Sequence, residues 1–404
     1  MPPVPVLIAA HICSMLGFAT YAAQLPELRD AWALTNAQAG VIGGMFFAGY
    51  VLSVSHWTAA TDRADGRKVH VAGALVAAVG SAGFGLLARG FASAAFFQAL
   101  LGAGIGGTYM PGLRLLSERA GGPKQSRAIA FYTSSFGIGT ALSLALAGFI
   151  APRAGWQATF LAGGAGPLVS AALVLMAVRP MERASPVPAA GVVALVPFTA
   201  WARVLRHRDL AGYVLGYTAH CLELFGSRSW MVAFLTYSAA LQPRGIPWQP
   251  ATVAAVVNLL SVPSSIVGNE IAQRVGRRRL ILLAMAASGT CGILLGFSAP
   301  WHWTMVLALL VIYSLLVMAD SATLTAGLVA VAPEELRGTA MGLYSLAGFG
   351  GGMLGPIVFG ATLDAAGNGA KPGAWALGYA AIGAGCLAAP FLARWFRVDP
   401  RSSG

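Results

Sequence analysis

Long apolar runs separated by short polar segments cover almost the whole chain. A membrane-crossing helix needs about 20 mostly apolar residues, and twelve runs are of roughly that length. They lie at residues 5–24, 37–60, 69–89, 92–115, 127–151, 155–178, 211–240, 250–272, 278–298, 302–331, 338–363 and 372–394. The first run has no basic segment before it, so it is predicted to be a retained span and not a cleaved signal peptide. The pattern predicts an all-α integral membrane protein with 12 transmembrane helices.

The composition excludes several other classes of protein. The 404 residues are 57% hydrophobic and 10% charged, and they include 51 glycines. A soluble protein with so few charges could not cover its surface, which excludes a soluble enzyme, a disordered chain and a nucleic-acid binder despite the net charge of +12. The cysteines lie singly in apolar runs, at Cys13, Cys221, Cys291 and Cys386. They predict packing roles, with no metal, cofactor or disulfide framework.

The basic residues predict the orientation of the chain. Of the 26 Lys and Arg residues, 20 lie in one alternate set of loops and termini and five in the other set. The positive-inside rule therefore places the first set, and both termini, in the cytoplasm. An odd number of spans would destroy this alternation. The Arg-rich, Gly- and Ala-heavy composition is typical of a multi-pass protein of a bacterial inner (plasma) membrane, which is the predicted location.

The two halves of the chain repeat each other at an offset of about 210 residues. The long loop 179–210 separates two sets of six spans, which predicts domains at 1–178 and 211–404 with a cytoplasmic linker between them. The matching positions are His11 with His220, Gly17 with Gly226, 62–68 with 273–278, Arg127 with Arg337, and Tyr132 with Tyr344. Parallel six-span repeats are a known transporter plan, with a binding site near the bilayer midplane between the halves.

The basic turn after span 2 carries a family signature. With one inserted residue, Asp62-Arg63-Ala64-Asp65-Gly66-Arg67-Lys68 resembles the Gly-x-x-x-Asp-Arg-x-Gly-Arg-Arg/Lys motif of the major facilitator superfamily, with Thr58 in place of the leading glycine. The second half keeps part of this motif, with Gln273 where the acid would be. Together with the paired halves, the resemblance covers essentially the whole chain. It implies the family fold of two pseudo-symmetric six-helix bundles.

In this family the turn braces the cytoplasmic gate, with its acid against the start of span 11. The resemblance therefore implies gate residues at Asp62, Arg63, Gly66, Arg67, Arg274, Gly276 and Arg277. A helix N-terminus favours a nearby carboxylate, so the expected contact is physically reasonable. The alternative is a solvated basic turn that serves only topology.

Glycine motifs in three spans have a simpler interpretation. Span 11 contains Gly351-x-x-x-Gly355-Pro356-x-x-x-Gly360, and span 4 contains Gly102-x-Gly104-x-Gly106-Gly107. Small residues at these spacings let helices pack closely, so both motifs predict packing. Family members that exchange substrate for a proton carry Gly-x-x-x-Gly-Pro in span 5, where this chain has Gly139-x-x-x-Ser143. That difference weakens a prediction of antiport.

Five ionisable side chains lie deep within the spans, where they are costly and mark functional candidates. They are His11, His220, Glu223, Arg228 and Asp320. The resemblance implies that spans 1, 4, 7 and 10 line a central cavity, and all five lie on three of these spans. At about 1.5 Å per residue, the two acids lie roughly 18 and 20 Å from the cytoplasmic end. The i, i+3 spacing puts His220 and Glu223 on one helix face.

These positions predict proton coupling by Glu223, Asp320 and His220. Burial and a second carboxylate both oppose ionisation of an acid, which favours proton exchange near neutral pH, and a histidine can share that proton. Arg228 and His11 are candidate substrate-binding residues. Further cavity-lining candidates are Tyr109, Trp230, Asn258 and Tyr313. The alternative for the charges is a static pair of Arg228 with Glu223 or Asp320, and for His11 a packing role.

The preferred interpretation is a proton-coupled secondary transporter that works by alternating access and is not an enzyme. Apolar cavity helices favour export of a small amphipathic compound, such as a drug or a siderophore-like metabolite. Arg228 and the histidines favour import or exchange of a small anion as the alternative. A non-transporting membrane sensor or channel is a third possibility. The expected partners are a small-molecule substrate, protons and the lipid bilayer, with no nucleic acid, and a monomer is sufficient.

Overall fold

The computed structural model describes residues 3–120, 124–180, 198–243, 245 and 247–392, and the regular secondary structure in these ranges is helical throughout. The helices are α1 Pro3–Ser14, α2 Thr20–Ala31, α3 Asn36–Arg63, α4 Gly66–Leu87, α5 Phe91–Arg119, α6 Lys124–Ala177, α7 Phe198–Arg206, α8 Arg208–Leu241, α9 Pro250–Val275, α10 Arg277–Phe297, α11 Trp303–Ala319, α12 Ser321–Val331, α13 Arg337–Ala365 and α14 Pro372–Leu392. The prediction of an all-α protein is confirmed for these residues.

All helices but α7 fall on the twelve apolar runs of the sequence, and the number that cross a membrane stays a prediction. Helices α1 and α2 form span 1, α6 contains spans 5 and 6 on either side of Gly155 with φ +79, and α11 and α12 form span 10. Within the described residues, ten stretches are long and apolar enough to cross a membrane; one of them is the double span 127–177, and α8 is not among them. The short helix α7 lies in the predicted linker, of which 181–197 is outside the described residues.

Spans 1 and 10 are interrupted, which their continuous apolar sequences did not predict. A 3-10 turn at Met15–Gly17 separates α1 from α2, and span 1 continues to Ala31 instead of ending near residue 24. Span 10 is interrupted at Asp320, which ends α11 and precedes α12. Backbone groups released by such breaks need partners, because lipid supplies none.

A serine from a neighbouring span supplies a partner at each break. In span 1, Ser143 Oγ donates to the Leu16 carbonyl at 2.7 Å and accepts the Ala19 N–H at 3.0 Å. In span 10, Ser265 Oγ accepts the Ala322 N–H at 3.1 Å. Ser143 is the residue that ends the Gly-x-x-x-Ser sequence of span 5. Its role here is to pair the broken backbone of span 1.

The chain forms two compact units. Unit 1 comprises residues 1–34, 41–190 and 248–259, and unit 2 comprises 35–40, 191–247 and 260–404. The core of unit 1 includes stacked rings of Phe84 and Phe160, with centroids 4.0 Å apart. The core of unit 2 includes Trp230 stacked on Phe359 at 5.5 Å. The domain boundaries proposed from the linker stay a prediction.

The glycine motifs pack helices against each other, as predicted. A Cβ atom added at Gly102 would collide with the backbone of Phe46, and one added at Gly104 would collide with Ala77. In span 11, a Cβ atom at Gly355 would collide with the Leu222 carbonyl of span 7. These positions require glycine because the neighbouring backbones are in direct contact.

Candidate functional site

Two buried titratable side chains meet between spans 7 and 10 of unit 2. His220 lies in the middle of α8, and Asp320 lies at the break in span 10. The His220 Nδ1 atom is 2.8 Å from Asp320 Oδ1, and the side chains are only 2% and 3% exposed. The His220 ring also stacks on Tyr217 at 5.7 Å, and Tyr217 stacks on Tyr344 of span 11 at 3.9 Å. The structure therefore brings together two of the three residues predicted to couple protons.

Glu223 lies on the same face of α8 but points into the helical interior of unit 2. Ser288 Oγ of span 9 is 2.8 Å from Glu223 Oε2. The Cys386 thiol of span 12 also lies against the carboxyl group. Spans 9 and 12 are not among the cavity-lining spans that the resemblance implied. The prediction that Glu223 is buried is confirmed, but its contacts are with spans 9 and 12 of its own unit.

Arg228 lies between spans 7, 8 and 10 with no acidic partner among the described residues. Its Nη2 atom is 3.5 Å from Ser261 Oγ and 3.5 Å from Met318 Sδ. The residue is partly exposed. The static pairs with Glu223 or Asp320 that the sequence left open are thus not formed in this part of the chain. Asp320 contacts His220 instead.

His11 is enclosed in unit 1 and does not face open space. Its Nδ1 atom is 2.7 Å from Ser135 Oγ, whose own proton is directed at the Tyr132 carbonyl at 2.6 Å. Since Ser135 has one proton to donate, His11 Nδ1 is the donor in this pair. The imidazole stacks on Tyr132 at 4.6 Å and lies 5.0 Å from the Tyr109 ring. These contacts favour the packing interpretation of His11, while Tyr109 stays partly exposed.

The other candidate cavity residues of the second half are buried. Trp230 donates its indole N–H to the Pro356 carbonyl at 2.9 Å. Tyr313 packs edge-on against Tyr379 at 5.4 Å. Asn258 donates to the Ala254 carbonyl one turn earlier in its own helix at 2.8 Å. All three side chains are almost fully inaccessible, and their predicted place in the lining of a cavity stays a prediction.

His70, which belongs to none of the motifs described above, is also buried. Its two ring nitrogens lie 3.1 Å from the Thr108 carbonyl and 2.9 Å from Ser170 Oγ. The histidine therefore ties span 3 to spans 4 and 6. Its position near a predicted membrane boundary gave no signal of this role. Among the described residues, no group of three or more His, Cys, Asp or Glu residues is placed to hold a metal ion.

The basic turn after span 2 is held together by ion pairs within unit 1. Asp62 pairs with Arg114 of span 4 at very short range, and Arg114 also pairs with Glu118 at 2.9 Å. Arg67 pairs with Asp65 at 2.6 Å and donates to the Val178 carbonyl at the end of span 6 at 3.1 Å. The partner of the motif acid is thus an arginine of span 4, where the resemblance implied the start of span 11.

The second acid of the turn, Asp65, has a structural role of its own. The Asp65 side chain accepts the Arg67 N–H at 3.0 Å and so caps the start of α4. The Arg67 guanidinium, through its hydrogen bonds, holds the pKa of Asp65 below its ordinary value of 3.8. Gly66 follows directly and packs against Leu115. The second acid of the turn is therefore the helix cap.

The second copy of the turn is built differently. Gly276 precedes α10 with φ +93, a left-handed conformation that favours glycine. Arg274 is exposed and Arg277 is partly exposed. Gln273, in the place of the acid, lies 3.5 Å from Glu270. The two copies therefore share their basic residues, but an acid begins the following helix in one and a glycine in the other.

Sequence reasoning missed a contact between the ends of α3 and α13. Asp364 accepts hydrogen bonds from the backbone and side chain of Asn36 at 3.0 and 2.8 Å. Neither residue belongs to a motif, and they are 328 positions apart. The serines at the helix breaks were missed for the same reason. No pattern along the chain indicates such partners.

Comparison with known proteins identifies the fold. The sequence matches the family model described as Major Facilitator Superfamily over residues 7–315 and 217–404. A probable 4-methylmuconolactone transporter of Cupriavidus pinatubonensis (strain JMP 134 / LMG 1197) is 30% identical over 173 residues. That match covers 40% of this chain and only 37% of the relative's length.

Solved transporters share the fold over nearly the full chain. A bacterial homologue of the human lysosomal transporter Spinster, inward-facing and unoccupied, has a TM-score of 0.75 at 16% identity, covering 98% of this chain and 95% of its own. A POT family transporter in complex with a thioalcohol-conjugated peptide has a TM-score of 0.77 at 12% identity, with coverage of 97% and 95%. A nucleoside transporter has a TM-score of 0.75 at 14% identity, with coverage of 97% and 100%.

Proposed function

Because the chain belongs to the Major Facilitator Superfamily, and is accordingly a multi-pass membrane transporter and not an enzyme, we propose that it moves a small organic anion together with protons. The observation that carries this proposal is the environment of Arg228. A guanidinium in the interior of a membrane protein is costly unless an anion pairs with it. Within the described residues no carboxylate does so, which leaves the substrate as the partner.

The groups around Arg228 indicate the class of substrate. A guanidinium binds a carboxylate through two parallel hydrogen bonds. The Ser261 hydroxyl supplies one further polar group, while the Met318 thioether supplies an apolar, adaptable wall. This combination favours a carboxylate carried on a small apolar body. The relative named as a probable 4-methylmuconolactone transporter is consistent with a small organic substrate. We therefore propose an anion in place of the amphipathic export substrate that the apolar spans favoured.

Protons are proposed to occupy the His220–Asp320 pair and Glu223. If both acids were ionised beside a neutral imidazole, two uncompensated negative charges would lie in the membrane interior, which is unfavourable. One proton on His220 and one on Glu223 bring the net charge of the three groups to zero. The charge of the cluster therefore changes when either proton leaves.

Ser288 is suited to both protonation states of Glu223. Its hydroxyl oxygen lies 2.8 Å from Glu223 Oε2 and 3.0 Å from the Met285 carbonyl. When Glu223 is ionised, Ser288 can donate to it. When Glu223 is protonated, Ser288 can donate to Met285 and accept the carboxyl proton. The hydrogen bond therefore persists through a change of protonation.

Shared helices link the proposed proton and anion groups. Met318 contacts Arg228 and lies two residues before Asp320 on span 10. On span 8, Ser261 contacts Arg228, and Ser265 holds the break beside Asp320. Loss of the proton from the pair leaves a negative charge on Asp320, which competes with a substrate anion for the positive charge of Arg228. Anion binding is therefore favoured when the pair is protonated, as cotransport requires.

The cytoplasmic turn is proposed to hold one end of unit 1 rigid during transport. The ends of spans 2, 4 and 6 are joined by ion pairs and a hydrogen bond, which involve Asp62, Asp65, Arg67 and Arg114. Such a brace would move as one piece when the protein changes conformation. A bacterial inner membrane with both termini in the cytoplasm, and a monomer as the working unit, complete the proposal.

Proteoliposomes that contain the purified protein and an internal pH dye test this function. We expect small carboxylates to cause proton movement and amphipathic cations to cause none. Arg228→Met should abolish the signal, Arg228→Lys should reduce it, and Arg153→Met, which changes an exposed arginine on a Phe149 ring, should leave it unchanged. Transport of cations, or normal carboxylate transport by Arg228→Met, would contradict the proposal.

A further inference from the structure

Asp364, near the end of span 11, contacts the start of span 2 through both carboxylate oxygens. Asp364 Oδ1 accepts the Asn36 N–H at 3.0 Å and the Asn36 side-chain amide at 2.8 Å. Asp364 Oδ2 accepts the Ala37 N–H at 2.8 Å. Three hydrogen bonds thus converge on one charged group. Hydrogen bonds to a charged acceptor are stronger than neutral ones.

These hydrogen bonds complete the N-terminal cap of α3, whose other hydrogen bonds come from residues next to it in the chain. The first N–H groups of a helix have no partner within it. Thr35 and Gln38 form a capping box: the Gln38 N–H donates to Thr35 Oγ1 at 3.1 Å, and the Thr35 N–H donates to Gln38 Oε1 at 3.0 Å. The Asn36 and Ala37 N–H groups remain, and Asp364 accepts both. The start of α3 is therefore capped half by its own residues and half by a residue 328 positions away.

Backbone packing reinforces the contact. A Cβ atom at Gly40 would collide with the Pro356 carbonyl, and one at Gly360 would collide with the Asn36 carbonyl. The same Pro356 carbonyl accepts the Trp230 indole N–H at 2.9 Å. The Gly-Pro-x-x-x-Gly segment of span 11 is thus shaped for the first turns of α3 as well as for span 7.

The start of α3 and Asp364 lie in the same compact unit. Residues 35–40 belong to unit 2, whereas 41–63 belong to unit 1. The contact lies at the ends of spans 2 and 11 that are opposite to the basic loops, which the sequence predicts to be the outer face. We propose that Asp364 is a latch residue of the outer gate, which holds the start of α3 when that face is closed and releases it when the face opens.

Because α3 is capped both by Thr35 and Gln38 and by Asp364, the contact with Asp364 can break and form again. When Asp364 withdraws, Thr35 and Gln38 still cap α3, so the helix does not unravel. At the membrane surface, water can solvate the released carboxylate and the two N–H groups. The proposed role of Asp364 does not depend on the identity of the substrate or on proton coupling, so it can be tested separately from the proposed function.

Thiol labelling tests the latch. Ala39 is fully buried one turn into α3, and Ala39→Cys places a small reactive group there. A membrane-impermeant maleimide is applied to right-side-out cells and, separately, to inverted vesicles, so that the labelled side also reports orientation. Adding Asp364→Asn should raise the labelling rate from the outer side about tenfold or more, since a hydrogen bond to a charged group is worth roughly that factor in an equilibrium constant. Hydrogen exchange of the Asn36 and Ala37 amides, measured without the cysteine, should rise in parallel.

Two matched variants separate the latch from other effects. Thr35→Ala weakens the cap of the same helix but leaves its bonds to Asp364. Asp30→Asn removes the same charge from an exposed acid on the same face, paired with Arg29 at 3.0 Å. Both should label at the rate of the parent. If Asp364→Asn changes neither labelling nor amide exchange, or if Thr35→Ala raises labelling equally, the contact is only a helix cap and the latch is excluded.

Discussion

The His220 imidazole and the Asp320 carboxylate meet at 2.8 Å at the residue where span 10 is interrupted. Asp320 contacts span 7 at this break, and the Ser265 hydroxyl from span 8 accepts the Ala322 N–H after it. The contact therefore depends on three helices of unit 2. If span 10 were one continuous helix, the backbone at Asp320 would lie in a different position relative to His220.

Replacement of Asp320 by asparagine should separate proton movement from substrate movement. Asp320→Asn cannot change charge, so we expect proton uptake with substrate to fall at least tenfold while exchange of labelled for unlabelled substrate continues. Glu334→Gln, which changes an exposed acid after the same span, is the control and should behave as wild type. Unaltered proton uptake in Asp320→Asn would show that the pair is only structural.

Ser265 and Ser264 offer an adjacent pair of serines with different roles. Ser265→Ala leaves the Ala322 N–H without a partner inside the membrane, a loss of about 1–3 kcal/mol. Ser264 instead donates to the Leu315 carbonyl at 2.7 Å. We expect Ser265→Ala to lower the thermal unfolding temperature and shift the pH dependence of transport, and Ser264→Ala to change the pH dependence little. Equal pH profiles for both variants would show that Ser265 does not position Asp320.

Two glycines should respond in opposite ways to an added methyl group. Gly102→Ala would force span 4 away from the backbone of Phe46, and overpacking of this kind costs typically about 1–3 kcal/mol. An added Cβ atom at Gly350 meets no neighbour within 4 Å, so Gly350→Ala should be neutral or stabilise its helix by up to about 1 kcal/mol. Thermal unfolding of both variants in the same detergent gives the comparison. A stable Gly102→Ala variant would contradict the close packing of spans 2 and 4.

The cap of α4 should make part of the stability depend on pH. Because Arg67 lowers the pKa of Asp65 in the folded state, the ion pair contributes stability above the unfolded-state pKa of 3.8. That contribution is lost as the pH falls through the lower folded-state value. Asp65→Asn retains a capping side chain but loses the ion pair. It should be less stable than wild type at neutral pH and equal to it in strong acid, and a difference that grows in acid would reverse the assigned sign.

The sequence determined the helical class of this protein and which apolar runs carry its charges, and it predicts an orientation. Run length fixes which segments can cross a bilayer, and the placement of arginines between runs indicates their orientation. Both properties depend only on the order of residues along the chain. For that reason the helical runs, the packing glycines and the burial of Glu223 and Asp320 could be predicted without coordinates.

Only the tertiary structure decided which side chains meet. Glu223 and Arg228 share a helix but contact different neighbours, because helix rotation and packing select the partner of each face. The breaks in spans 1 and 10 are stabilised by Ser143 and Ser265, which lie on other spans, so the sequence around each break does not contain the partner of its backbone. Asp364 and Asn36 are far apart in the chain, and no local pattern encodes a hydrogen bond between them. Hydropathy determines where a helix crosses the membrane, but specific contacts with other helices determine what each polar side chain can bind.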